Sequence, residues 1–171
     1  MRWDRLFGEL EGHAEYARLE ERDALVADLR EGEWAERTWV DALAGSGAAV
    51  EISVRDVGVL AGHVRWATAH LIGLETASAN YVISASAVQW LRGADRASGL
   101  RGDSVRAQLG WGPVLREAHD ARDELTVTLA GGLTCAGSVA AVGGDFVRVR
   151  SAGGSERDIP TAAICAITLA H

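Results

Sequence analysis

Apolar and polar residues alternate along two separate stretches of the chain, and this period of two predicts β-strands. In the first stretch Val50, Ile52 and Val54 alternate with Glu51 and Ser53. Alternation of this kind, interrupted by glycine-containing turns, predicts five short strands in each stretch. We place them at 50–54, 59–66, 70–75, 81–84 and 89–91, then at 125–129, 134–142, 145–150, 156–159 and 165–169.

The two stretches repeat one pattern at a distance of about 75 residues. Residues 50–54 align with 125–129, 61–64 with 136–139 and 71–74 with 146–149, all without a gap. After one inserted residue, 83–88 align with 159–164. A match sustained over this length indicates a duplicated supersecondary unit. Five short antiparallel strands with tight turns predict a small, strongly bent barrel in each copy.

Helical spacing precedes each strand-rich stretch. Apolar residues three and four apart predict a helix over 4–31, with Phe7 and Leu10 on its apolar face, and a second helix over 33–44. Shorter helices are predicted over 104–107 and 114–122. The first helix lacks a strict heptad, so it either forms a coiled coil with another subunit or packs on its own chain. We divide the chain into an acidic helical arm (1–32), a first barrel with its leading helix (33–93), a linker (94–112) and a second such barrel (113–171).

Charge is distributed unevenly. The net charge is −7, and residues 1–36 hold 5 arginines against 11 acidic residues. An acidic helical arm repels phosphate, so a nucleic-acid binder would have to use another face. The sequence has neither an apolar run long enough for a membrane helix nor a signal-peptide core, which predicts a cytoplasmic protein without a membrane partner. Cys135 and Cys165 lack the spacing of a zinc or redox motif and are predicted to be buried thiols.

A helix followed by five bent strands resembles the Sm-like fold (LSm/Hfq-type), a small barrel related in shape to SH3 domains. Gly62 and Gly137 stand where a strongly curved strand needs a residue without a side chain. The closing motif of that fold has an apolar residue, another five positions on and a third after three more. Both copies match it, with Ile83, Val88 and Leu91 in the first and Ile159, Ile164 and Ile167 in the second. The fold class we expect is mainly β with a helical N-terminus (α+β), built from two tandem Sm-like barrels, each preceded by a helix.

The whole chain also resembles an uncharacterised family of actinobacteria, the high-GC Gram-positive bacteria. The resemblance rests on the opening residues 1–7, on the strand around 142–147 and on the closing residues 159–164. Some members carry a label that implies a Fis-type regulator. The sequence contains no helix-turn-helix that would support DNA binding.

The uridine-binding residues of Sm proteins do not carry over to this chain. Such sites use a polar residue at the end of the third strand and a cationic residue in the closing motif. This chain has apolar residues at 71–72 and 146–147, and the closing motif offers only Ser84-Ala85 and Pro160-Thr161. Contacts to RNA or another anion would therefore involve arginines elsewhere: Arg92, Arg96, Arg101, Arg106, Arg148, Arg150 and Arg157.

The remaining candidates are protein contacts. Trp66, near a predicted hairpin tip, and Phe7 and Leu10 on the arm are the residues we select, while Trp90 is predicted to pack inside. No spacing predicts a catalytic residue, a metal site or a cofactor. We therefore expect a non-enzymatic interaction or assembly module with a protein partner or self-association. The alternative is an RNA-binding regulator, and DNA binding rests on the family label alone.

Overall fold

A computed structural model describes residues 38–44, 48–94 and 109–169. The predicted arm over 1–32, the predicted helix over 104–107 and the candidates Phe7, Leu10, Arg96, Arg101 and Arg106 lie outside the described residues. The chain from Trp39 onward clusters as one compact unit, so its two strand-rich halves are described together.

The described residues are mainly β-structure, as predicted. The described residues form two α-helices, α1 (Trp39–Ala44) and α2 (Trp111–Ala121). The first half contains β1 (Ala49–Val54), β2 (Gly58–Ala67), β3 (Leu71–Glu75), β4 (Asn80–Ser84) and β5 (Val88–Arg92). The second half contains β6 (Glu124–Leu129), β7 (Thr134–Val142), β8 (Phe146–Arg150), β9 (Glu156–Pro160) and β10 (Ile164–Leu169).

The expectation of two separate five-stranded Sm-like barrels is wrong. The ten strands of the described residues belong to one open antiparallel sheet in the order β5-β1-β2-β3-β4-β10-β6-β7-β8-β9. A five-stranded barrel would close only if β4 met β5 of the same half. The outer side of β4 instead pairs with β10 of the other half. The residue pattern within one half does not indicate that β4 pairs with a strand of the other half.

The same pairing scheme nevertheless occurs twice. The order 5-1-2-3-4 in the first half is repeated as 10-6-7-8-9 in the second. The β2–β3 ladder shifts register between Val64 and Trp66, and the β7–β8 ladder shifts between Val139 and Ala141. Two turn hydrogen bonds also recur. Ala85 N–H donates to His70 O at 2.8 Å, and Thr161 N–H donates to Asp145 O at 2.8 Å.

Each half has its own apolar core covered by one helix. The first core contains Leu43 of α1, and the second contains Leu115 and Ala118 of α2. Leu43 and Leu115 are fully buried. The last helix begins earlier than predicted, at Trp111, and ends at Ala121, just before the left-handed residue Arg122. The two helices thus occupy matching places, since α1 contacts β2 and α2 contacts β7.

Close strand crossings explain the glycines that the sequence placed at the bends. A Cβ atom on Gly62 would lie 2.1 Å from the Glu75 carbonyl oxygen, and one on Gly137 would lie 2.1 Å from the Arg150 carbonyl oxygen. Both neighbours are backbone atoms, which cannot rotate away as a side chain can. Glycine is therefore required at both positions for β2 and β7 to bend as sharply as they do.

Candidate interaction edges

The two halves join where β4 pairs with β10, and we call this contact the inner junction. Its antiparallel register places Ile83 opposite Ala166, and Val82 opposite Ile167. All four residues are at most 6% exposed. Strand β10 serves both cores, since Cys165 and Ala166 lie in the first core while Ile164 and Ile167 lie in the second. A strand that faces two cores in this way ties the halves into one sheet.

The strands that correspond to β4 and β10 stand at the two ends of the sheet. Ladder positions define the counterparts. Ser84 and Pro160 face Leu71 and Phe146 at matching places, so β9 corresponds to β4. Val54 faces Val88 as Leu129 faces Ile164, so β5 corresponds to β10. In the described part of the chain β5 pairs only with β1, and β9 pairs only with β8. We call the unpaired sides of β5 and β9 the open edges.

The open edges are exposed where the inner junction is buried. Trp90 on β5 is the counterpart of Ala166, yet Trp90 is 47% exposed and Ala166 is 1% exposed. On β9, Asp158 is exposed while its counterpart Val82 is buried. Large apolar side chains are uncommon on an unpartnered sheet edge because they favour association. Trp90 is therefore the strongest apolar contact that the β5 edge can offer.

Acidic side chains on β9 are neutralised by arginines of β8. The Arg148 guanidinium donates two hydrogen bonds to Asp158, from Nε to Oδ1 at 2.7 Å and from Nη2 to Oδ2 at 2.8 Å. Arg150 donates to Glu156 Oε1 from Nε at 2.9 Å and from Nη2 at 2.6 Å. The hydrogen bonds from Arg148 lower the pKa of the Asp158 carboxyl and raise the pKa of Arg148 itself. The charged face of this edge is thus satisfied within the chain.

Backbone direction on β9 follows from one hydrogen bond. Thr161 N–H donates to Asp145 O on the β8 side. Backbone groups alternate sides along a strand, so Asp158 and Glu156 direct theirs to the open edge. Pro160, which has no N–H, has its nitrogen on this same side. The β9 edge therefore presents the N–H and C=O of Asp158 to a potential partner strand.

A cavity of about 450 Å³ lies beside the inner junction. Turns from both halves line it, together with Gly110 and Trp111 at the start of α2. Its hydroxyl groups already have partners nearby, since Ser84 Oγ lies 2.9 Å from Ser86 Oγ and Thr161 Oγ1 donates to Asp145 O at 3.1 Å. His70 is the only lining residue that can carry a charge among those the structure describes there. The described lining of the cavity mixes polar and apolar groups and lacks a convergent set of free donors.

The described arginine candidates are separated and mostly paired. Arg92 Nη2 lies 2.5 Å from Glu51 Oε2 on the first half, far along the sheet order from the Arg148 and Arg150 pairs on β8. Arg157 Nη1 lies 3.6 Å from Cys135 Sγ. The structure thus brings Arg148, Arg150 and Arg157 to one end of the sheet and Arg92 to the other. Both predicted thiols, Cys135 and Cys165, are buried and free.

Trp66, the tryptophan selected from the sequence, is only partly exposed, whereas Trp90 is 47% exposed. The Trp66 ring packs over Gly73, where an added Cβ would lie 2.4 Å from its Nε1 and Cε2 atoms. Trp90, which we expected inside, instead lies on the open edge of β5. The sequence did contain a signal, because aligning the copies across the β-bulge places Trp90 over Ala166. That signal gains meaning only once β10 is known to be covered by β4.

Comparisons with known proteins give no family assignment: no protein-family model matches the chain, and no curated protein matches it either. The resemblance to the actinobacterial family therefore stays a prediction. Within the described residues, no helix is long and apolar enough to cross a membrane. The same residues contain no group of three or more histidine, cysteine, aspartate or glutamate side chains that could hold a metal ion.

Proposed function

We propose that this protein is a non-enzymatic, cytoplasmic interaction and assembly module that binds other polypeptide strands at the open edges of its sheet. The observation that carries the proposal is the contrast between matching strands. β4 and β10 are buried by pairing with each other, whereas β9 and β5 have one neighbour each among the described residues.

Strand addition supplies the binding energy in this proposal. An open edge offers a row of unpaired backbone N–H and C=O groups, and an extended segment can complete the ladder. On β9 these groups include those of Asp158, and on β5 Trp90 adds an apolar contact that is 47% exposed. Backbone pairing gives affinity, while side chains such as Trp90 select the partner.

The alternative of RNA binding receives less support from the arginines. Arg92, Arg148 and Arg150 each have a carboxylate partner within the chain. A phosphate would have to compete with those carboxylates, which reduces the counterion release that drives nucleic-acid binding. RNA is accordingly an outcome that the test below must distinguish.

The test is affinity capture from a native lysate, with and without nuclease, using three forms of the tagged chain. Asp158→Pro removes the N–H that faces the open edge and leaves the β8 ladder intact, because Pro160 already has its nitrogen on that side. Asp158→Asn is the matched control, since it removes the charge and keeps the N–H.

We expect a protein partner that survives nuclease, is retained by Asp158→Asn and is lost with Asp158→Pro. The partner must then bind the purified chain directly with the same variant dependence. Capture that disappears with nuclease, together with bound nucleic acid seen by ultraviolet absorbance, would favour the RNA-binding regulator instead. Capture indifferent to Asp158→Pro would refute binding at the β9 edge.

A further inference from the structure

The partner at these edges can be named from the inner junction, and this step rests on the proposed function. We propose that β9 of one copy pairs with β5 of a second copy, antiparallel and in the register that β4 and β10 use within the chain. Every chain carries both halves of this contact, one at each end of its sheet. The occupant of each open edge is thus another copy of the same protein.

The inner junction fixes the register between copies. Ala166 lies opposite Ile83 and Thr168 opposite Tyr81. In the contact between copies, each residue takes the place of its counterpart at the inner junction. Trp90 of one copy then lies opposite Ile159 of the next, and Arg92 lies opposite Arg157. The backbone of Leu91, which corresponds to Ile167, then meets the backbone of Asp158, which corresponds to Val82. This is the Asp158 N–H already shown to face the open edge.

Trp90 distinguishes this occupant from an unrelated strand. Its counterpart Ala166 leaves the core of its own half and is 1% exposed in the core of the other half. Trp90 would make the same move, from the edge of one copy to the second core of the next copy, beside Ile159. Arg157, diagonal to it across the ladder, presents a guanidinium that can lie against the indole ring. Trp90 is about half exposed, and its counterpart Ala166 packs into the core of the adjacent half. This correspondence favours a second copy of the chain as the partner of β5.

One contact opposes the association. Arg92 and Arg157 would stand directly opposite each other, and like charges across a ladder weaken pairing by at most about fivefold. Arg92 is already bound to Glu51, which reduces the repulsion. The contact between copies is therefore weaker than the inner junction, where the matching residues are Thr168 and Tyr81. We expect association to be reversible and dependent on concentration.

The symmetry of the contact is also fixed. Pairing of β9 with β5 joins two different surfaces, so copies add head to tail and form a ring or an open filament, and a two-fold dimer does not satisfy both edges. Pairing of β5 with β5, or of β9 with β9, would be a different contact with a two-fold axis. Cross-linking can separate these arrangements because each brings different residues together.

The first experiment uses cysteine cross-linking at the exposed pair Arg92 and Arg157. Residues of this pair are predicted to face each other without direct backbone bonds, which brings their Cβ atoms close enough for a disulfide. The background is Cys135→Ala, since Arg157 contacts Cys135. A mixture of Arg92→Cys and Arg157→Cys chains should give a disulfide-linked dimer, and the double variant should give a ladder of larger species.

Two controls fix the interpretation. Gln89→Cys mixed with Arg157→Cys uses the same two strands out of register and should not cross-link. Arg92→Cys alone should not cross-link either, and an efficient dimer from it would mean β5–β5 pairing and would overturn the proposal. The absence of cross-links in the in-register mixture, at concentrations where the chain self-associates, would also overturn it.

The second experiment needs no cysteine. Trp90→Ser in the otherwise unchanged chain should raise the dissociation constant of self-association by about tenfold or more in sedimentation velocity, since the loss of half a buried tryptophan costs at least that factor. Gln89→Ser on the same strand is the matched control. If the purified chain stays monomeric at all concentrations while a lysate protein still binds in an Asp158-dependent manner, this inference fails and the proposed function stands. If neither is seen, both fail.

Discussion

The inner junction and the open edges are formed by corresponding strands of the two halves, but only the strands of the inner junction pair with each other. At the inner junction, Val82 and Ile83 of β4 and Ala166 of β10 are buried, and the last two belong to the first core. At the open edges the matching strands present Asp158 and Trp90 to solvent. Duplication preserved the ladder and the bulges while the side chains diverged. The comparison shows that burial of a strand here is decided by whether a second strand lies beside it.

The divergence also reveals how an exposed edge stays usable. Charged side chains and proline on β9 are features that discourage indiscriminate strand pairing. Yet Asp158 and Glu156 are held by Arg148 and Arg150 on the neighbouring strand. Paired charges keep the edge hydrated without leaving a net charge that would repel a chosen partner. We infer that the charges and proline of β9 discourage non-specific aggregation while its backbone can still pair with a specific partner strand.

The largest effect should come from placing a charge at the inner junction. Ala166→Glu would bury a carboxylate with no partner in the first core, and we expect it to lower the free energy of unfolding by at least about 3 kcal/mol. Trp90→Glu changes the matching position on the open edge and should alter folding of the dilute chain by less than about 1 kcal/mol. Urea unfolding followed by circular dichroism measures both. Equal destabilisation would show that the two positions are not in different environments.

A smaller effect, on association between copies, is expected when a residue of β9 is replaced by the residue type of its counterpart on β4. Asp158→Val gives β9 the residue type of Val82 and removes a charge that discourages strand pairing, so association should strengthen by roughly tenfold. Light scattering against concentration measures this, and Asp158→Asn serves as the control that removes charge without adding an apolar surface. No change in association with Asp158→Val would mean that the β9 edge is not a contact surface.

The smallest effect concerns the ion pair that guards β9. Arg148 lowers the pKa of Asp158 in the folded chain, so the pair stabilises the fold above the unfolded-state pKa and loses that contribution as pH falls through the folded-state pKa. Wild type and Arg148→Gln should therefore differ slightly at neutral pH and converge as the pH falls below the lowered pKa of Asp158. Carboxyl-carbon NMR titration should show the Asp158 pKa rising in Arg148→Gln. An unchanged pKa would contradict the pairing.

The sequence alone located the strands better than their assembly. Alternation and the internal repeat predicted the ten strands of the described residues. Gly62 and Gly137 predicted where β2 and β7 bend. Local periodicity cannot report which strand covers the outer side of β4, because that partner lies in the other half of the chain. The expectation of two separate five-stranded barrels was wrong for this reason.

The contact residues could not be predicted reliably from the sequence for the same reason, because local periodicity does not show which strands are covered. Trp66 and Trp90 both lie on strands, and period two places a side chain on a face without saying whether that face is covered. Packing over Gly73 leaves Trp66 only partly exposed, while the end position of β5 exposes Trp90. The arginines were identified by charge, but their carboxylate partners on adjacent strands depend on register, which the repeat alignment did not address.

Amide hydrogen exchange at two matching positions tests the central claim most directly. The backbone of Val82 is paired with β10, whereas that of its counterpart Asp158 faces an open edge. We predict that the Val82 N–H is strongly protected at every concentration. The Asp158 N–H should exchange freely in dilute solution and become protected as concentration rises and copies pair. Protection of Asp158 equal to that of Val82 in dilute solution, or the absence of any concentration dependence, would contradict the account.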